Sequence, residues 1–119
     1  MNIDAKIKAI QKHPEGERVG MILTHTGIVR GYSKSGRKVS SIEMRVDEEN
    51  LDGVIQKHKQ MEGIVEVLVE ITTQIRLFPG EWIMTVVVAG DIRENVLAVM
   101  ASLIDAVKEG VTHKTEHFV

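Results

Sequence analysis

No cysteine occurs anywhere in this sequence. That excludes a disulfide framework and a thiolate zinc site. It also means the chain cannot itself carry sulfur as a thiolate or persulfide, so any sulfur used here arrives on a partner or a substrate. Aromatic residues are nearly as scarce, with one Trp, one Tyr and two Phe. The core is therefore expected to be Val, Ile, Leu and Met. No apolar run approaches the roughly 20 residues that span a bilayer, and the opening MNIDAKIKAI lacks the apolar stretch of a signal peptide. We expect a cytoplasmic protein with no membrane association. A net charge of −2 supplies no broad basic surface, so nucleic acid is not an expected partner.

What is present suits a single domain over residues 1–119. A chain of this length buries roughly two thirds of the surface its unfolded form exposes, enough to fold without a metal or a crosslink. Its charge is unevenly spread. Arg30, Lys34, Arg37 and Lys38 fall within nine residues without an acid, whereas Asp47, Glu48 and Glu49 open the next helical pattern. A basic loop is ordinarily a solvated, mobile surface; read functionally, this one is an anion site.

Ile3, Ile7 and Ile10 have helical spacing, which Pro14 and Gly16 end. Arg18 to Val29 reads as a strand, and Ile42, Met44 and Val46 alternate with polar neighbours over Ser41–Val46. Leu51, Val54, Ile55, His58 and Met61 form one helical face behind an acidic first turn. Val65 to Ile71 alternates again and is expected to run on towards Gln74. Pro79-Gly80 marks a turn, and Trp82 to Val88 is apolar on both faces, as in a central strand. Asp91 with Glu94 has the pattern of a capping box. The stripe Val96, Val99, Met100, Leu103, Ile104 and Val107 gives the longest helix, with Gly110 as its stop and a β-prone tail after it. The order is α-β-β-α-β-β-α-β, an α+β domain with helices against a mostly antiparallel sheet.

Several residues invite a chemical assignment. His113, Glu116 and His117 match the H-x-x-E-H zinc-peptidase pattern, which needs both histidines and the glutamate on one helical face. Here the pattern lies in β-prone sequence without a third ligand, so no metal is expected. His13 and His25 have no supporting pattern, and His58 on an apolar helix face suits packing. Without thiols or a metal, catalysis rests on Lys, Arg and His. Lys108 in the last turn of the longest helix interacts favourably with the helix dipole. Arg93, in the first turn, stands at the unfavourable end, which suggests either a ligand or a salt bridge to Glu94 or Asp91.

The chain resembles the large subunits of molybdopterin synthase. Thr24–Arg30 (THTGIVR) contains their G-x-V-R signature as Gly27-Ile28-Val29-Arg30, and Phe78–Glu81 (FPGE) contains their P-G-(D/E) turn. The helix that opens on Ile92-Arg93 and ends near Lys108, with the tail His113-Lys114-Thr115-Glu116-His117-Phe118, is similar to their His-Arg helix and W-K-x-E-x-F tail. The departures are Ile92 for His, Thr72-Thr73-Gln74-Ile75 for His-Arg-x-Gly, His113 for Trp, and one residue fewer between Lys108 and Lys114. The resemblance implies an α/β-hammerhead-like fold with an added small β subdomain, forming a homodimer. It implies a small ubiquitin-like sulfur carrier whose Gly-Gly thiocarboxylate enters a basic pocket, giving a heterotetramer. Two sulfurs pass to cyclic pyranopterin monophosphate, without a further cofactor. By the same resemblance Lys108 and Lys114 are catalytic; a lysine crowded by cations loses its proton more readily. Arg30 and Arg93 would hold phosphate or the carrier's carboxylate, with Lys34, Arg37, Lys38 and His113 as further binding candidates. The departures also admit an alternative, a non-catalytic homologue that binds a ubiquitin-like carrier or a pterin-like anion.

Overall fold

A computed structural model describes residues 2–119. Its elements are α1 (Ile3–Gln11), β1 (Met21–Ile28), β2 (Val39–Val46), α2 (Glu48–Lys59), β3 (Ile64–Ile71), β4 (Arg76–Leu77), β5 (Trp82–Gly90), α3 (Arg93–Gly110) and β6 (Thr112–Phe118). Gly16–Arg18 forms a 3₁₀ turn, so β1 starts at Met21 instead of Arg18. The strands form two antiparallel sheets, in the orders β1-β5-β3 and β4-β2-β6. The second is the added β subdomain.

The apolar character of β5 on both faces follows from its place at the centre of the first sheet. Val86 and Val88 pack against Val99, Leu103 and Val107 of α3 and Leu51 of α2, whereas Val87 and Ala89 pack beneath Ile10 of α1. Glu66 and Glu70, on the α1 side of β3, pair with Lys59 and Lys6 at the margin of that layer. In the second sheet Val39, Ile42, Met44 and Leu77 are buried with Val29, and Ile71 and Ile83 of the first sheet pack on them. The two sheets thus share a seam instead of stacking face to face. The molecule extends over 49 × 25 × 24 Å with a radius of gyration of 15.4 Å, larger than the roughly 13.5 Å of a compact chain this long.

α3 stops at Gly110 as expected, but the capping at both of its ends departs from expectation. Ile92, not Asp91, holds the N-cap backbone geometry of α3, and no side chain caps it. Asp91 accepts instead from the Ile92 amide at 2.6 Å and from Asn95 Nδ2 at 2.9 Å, and these bonds hold its carboxyl below the usual value. At the other end Gly110 is the last helical residue and has an ordinary φ. Its carbonyl accepts from Asn50 Nδ2 at 3.0 Å, and the Val111 carbonyl accepts from the Asp47 amide at 2.8 Å. The start of α2 therefore terminates α3, with no left-handed glycine. β3 stops at Ile71, short of Gln74, because Gln74 N turns to Thr72 Oγ1.

His58 is only 1% exposed. Its Nδ1 donates to the Val54 carbonyl at 2.7 Å and Nε2 lies 3.0 Å from Ser102 Oγ, so it joins α2 to α3 as a packing residue. Gly63 has φ +76°, and a Cβ there would overlap the Asp91 carboxylate and the Asn95 amide. Gly63→Ala should therefore cost about 1–3 kcal/mol and lower Tm by roughly 5–15 °C in calorimetry. Gly53, inside α2 with open space around it, provides the opposite case. Gly53→Ala should raise Tm, since alanine stabilises a helix interior by about 0.5–1 kcal/mol over glycine.

Candidate functional site

The site begins with a backbone clamp. In the turn Phe78–Glu81 the Glu81 amide donates to the Phe78 carbonyl at 3.0 Å, and Gly80 takes φ +91°, a value glycine adopts at little cost. This turn grips Val29 from both sides: the Val29 amide donates to the Glu81 carbonyl at 3.0 Å, and the Gly80 amide donates to the Val29 carbonyl at 2.9 Å. Val29 is buried in the second core. Just before it, the β1–β5 register slips between Gly27 and Ile28; such irregularities re-aim the side chains that follow. Arg30 is the residue so aimed.

Arg30 lines a cleft at the seam of the two sheets. A narrow inner part of about 50 Å³ is walled by Ile28, Val29, Ile42 and Ile83. An outer part of about 300 Å³ is lined by Ser33, Lys34, Arg37 and Phe118. Arg30, Lys114 and Glu116 border both. Four cations therefore converge with one carboxylate, in a cleft whose floor is apolar.

The basic loop is an ordered hairpin. Gly36, at φ +90°, donates to the Ser33 carbonyl at 3.0 Å; Ser33 donates to the Arg37 carbonyl at 2.9 Å; and Tyr32 bridges Lys38. The Arg37 guanidinium stacks over the Phe118 ring, 3.8 Å from its centroid, which fixes the hairpin against β6. Lys38 is exposed and is not among the residues lining the cleft; its carbonyl accepts from the Val119 amide at 3.1 Å.

Strand alternation sorts the tail. Lys114 pairs with Met44 and Glu116 with Ile42, so Lys114, Glu116 and Phe118 share the inner face and His113, Thr115 and His117 the outer. His113, expected to bind substrate, is thus exposed on the face away from Lys114. The same alternation separates Glu116 from His113 and His117, so the zinc-peptidase pattern has no helical face to act from, and no potential metal-binding group forms among the described residues. Arg76 also belongs to the outer face, where it meets Glu43 at 3.1 Å and holds that carboxyl below its usual value. In the sequence Glu116 stands out in the zinc pattern and in the W-K-x-E-x-F tail, neither of which assigns it to the cleft; its i, i+2 relation to Lys114 is the available signal.

Lys108 and Arg93 lie elsewhere in a single chain. Arg93 is exposed and stands 3.8 Å from Glu94, the salt-bridge arrangement. Along α3 it is roughly 22 Å from Lys108. Lys108 is exposed on the last turn of α3 and acts on His25 of β1 rather than lining the cleft. Burial first, and the Lys108 charge second, hold the His25 ring below its ordinary value.

Four cations around a half-apolar cleft suit an anion attached to an organic group. Arg30→Met should weaken binding of inorganic pyrophosphate by roughly tenfold, measured by isothermal titration at low ionic strength. Arg76→Met, on the opposite face, should leave that affinity unchanged.

A family model described as "MoaE protein" matches residues 2–110, and no match is found among curated proteins. Among solved structures, the molybdopterin biosynthesis MoaE protein from Burkholderia ambifaria MC40-6 is 20% identical, with a TM-score of 0.75 over 100% of this chain and 82% of that one. Molybdopterin synthase from Staphylococcus aureus is 22% identical, with a TM-score of 0.68 over 87% of this chain and 77% of that one. A complex of subunits 1 and 2 of the molybdopterin-converting factor from Helicobacter pylori 26695 is 18% identical, with a TM-score of 0.70 over 99% of this chain and 80% of that one. At such identities the likeness is one of fold. It extends over β6 in the first case, beyond the end of the family match.

Proposed function

Because the chain belongs to the MoaE protein family, we propose that it is the large, catalytic subunit of molybdopterin synthase, working in molybdenum cofactor biosynthesis. The observation that carries this reading is the cleft in which Arg30, Lys34, Arg37 and Lys114 converge. Its substrate is cyclic pyranopterin monophosphate, whose phosphate meets the cations. Guanidinium forks suit that task because they donate paired hydrogen bonds to an anion in a fixed plane.

The sulfur comes from outside, since the chain has no cysteine. A small ubiquitin-like carrier supplies it as the thiocarboxylate of a C-terminal Gly-Gly tail. The inner part of the cleft, narrow and walled by Ile28, Ile42 and Ile83, favours a segment without side chains. Arg30 and Lys114 at its border stabilise the terminal anion, and Lys114 is the amine placed to serve the transfer as base or nucleophile. Two sulfurs delivered in turn open the cyclic phosphate and build the dithiolene. Lys108, on the last turn of α3 beside His25 of β1, is the second lysine of the reaction.

The assembly is a homodimer with two carriers bound, in the cytoplasm. Arg93 lies too far along α3 to reach the cleft of its own chain, so any part it plays in binding requires the second copy.

The test is anaerobic. Wild-type protein given thiocarboxylated carrier and cyclic pyranopterin monophosphate should form molybdopterin, and Lys114→Ala should lower kcat/KM by about 100-fold or more. Absence of product with wild type, or equal product with Lys114→Ala, would contradict the proposal. Carrier binding without turnover would point to a binding homologue instead.

A further inference from the structure

His25 belongs to no sequence motif, yet its place in the fold gives it a specific neighbour. Met21 and Leu23 of β1 pack into the core shared with α3, and alternation puts His25 next on that same face. β5 runs antiparallel to β1, and α3 returns from the end of β5, so α3 follows β1 in direction. The last turn of α3 is thereby brought over the second half of β1, with Lys108 above His25. The ring is half-buried and makes no hydrogen bond or ion pair among the described residues.

Resting on the function proposed above, we propose that His25 is a positioning residue for Lys108: a neutral imidazole at the β1–α3 junction whose ring is free to accept an N–H when the exposed lysine turns onto it, so that its amine is held in place. Protonation turns the partner into a second cation, which repels the lysine. Few other charges bear on the pair. Across the sheet His25 faces Val86, and Lys108 is the one charged group that acts on the ring among the described residues. Asp105 and Glu109, on the same turns of α3, do not offset it there. Burial and the lysine charge both favour the neutral ring, so the ring is open to the lysine at neutral pH and closed to it as pH falls through the lowered value.

Two measurements decide it. The first is kcat/KM for sulfur transfer between pH 5.5 and 8.5, compared between wild type and His25→Gln, with His25→Phe as a second variant. The loss of activity that wild type shows on the acid side, where the ring gains its proton, should be absent from both variants, because neither side chain acquires one. A purely structural role would lower activity equally at every pH. The second is the NMR titration of the His25 ring, which in Lys108→Met should move up towards the ordinary histidine value of about 6.5. Superimposable acid limbs, or a titration unmoved by Lys108→Met, overturn the proposal. A wild type without sulfur-transfer activity would remove the functional premise, and the titration alone would then decide whether the pair exists.

Discussion

Two backbone hydrogen bonds to Val29 hold the site together. They tie the Phe78–Glu81 turn to the end of β1 at the seam of the two sheets. Each bond alone is worth about 1 kcal/mol. Their effect is geometric, because they fix the last buried residue before Arg30 and set the direction in which that arginine leaves the core. The G-x-V-R and P-G-E segments, far apart in sequence, are halves of this single clamp. Gly80 makes the turn possible by taking a positive φ, and the β1–β5 slip at Gly27 gives Arg30 its aim.

The second constraint is the two-residue period of β6. Its pairing with β2 sends Lys114 and Glu116 inward and His113 and His117 outward. A slip of one residue would exchange the faces and empty the cleft of its lysine. Stacking of Arg37 on Phe118 guards this register at the strand's far end, since it works only with Phe118 on the inner face. On the outer face Arg76 and the His117 ring gather about the Glu43 carboxylate, with Arg45 on the same face. Positive charge is thus spread over both faces and concentrated in a usable form on one.

Much of this was legible in the sequence, for reasons that can be named. The two-sided apolar run of β5 declared a central strand, and the stripe on α3 declared its buried face residue by residue. The basic cluster singled out Arg30, Lys34 and Arg37 and the resemblance added Lys114, and the structure brings these four to one cleft. What stayed hidden depends on contacts between distant segments. Asp91 looked like a cap because cap patterns are local, yet its oxygen is taken by Asn95 and the Ile92 amide. Gly110 is where the helix stops, as expected, but its carbonyl is taken by Asn50 and no left-handed glycine forms. His113 sat beside Lys114 in sequence and is opposite to it in space, which only the strand assignment could reveal. His25 had no motif, and its meaning comes from α3 folding back over β1.

The central claim is that the seam clamped at Val29 is where the anionic substrate binds. A ¹⁵N-HSQC titration of the intact protein with cyclic pyranopterin monophosphate under anaerobic conditions tests it directly. Amide shifts should concentrate on residues 29–37 and 114–118, the two segments that line the cleft. Shifts confined to the groove between α1 and β1, or to the outer face around Arg45, Arg76 and His113, would contradict it.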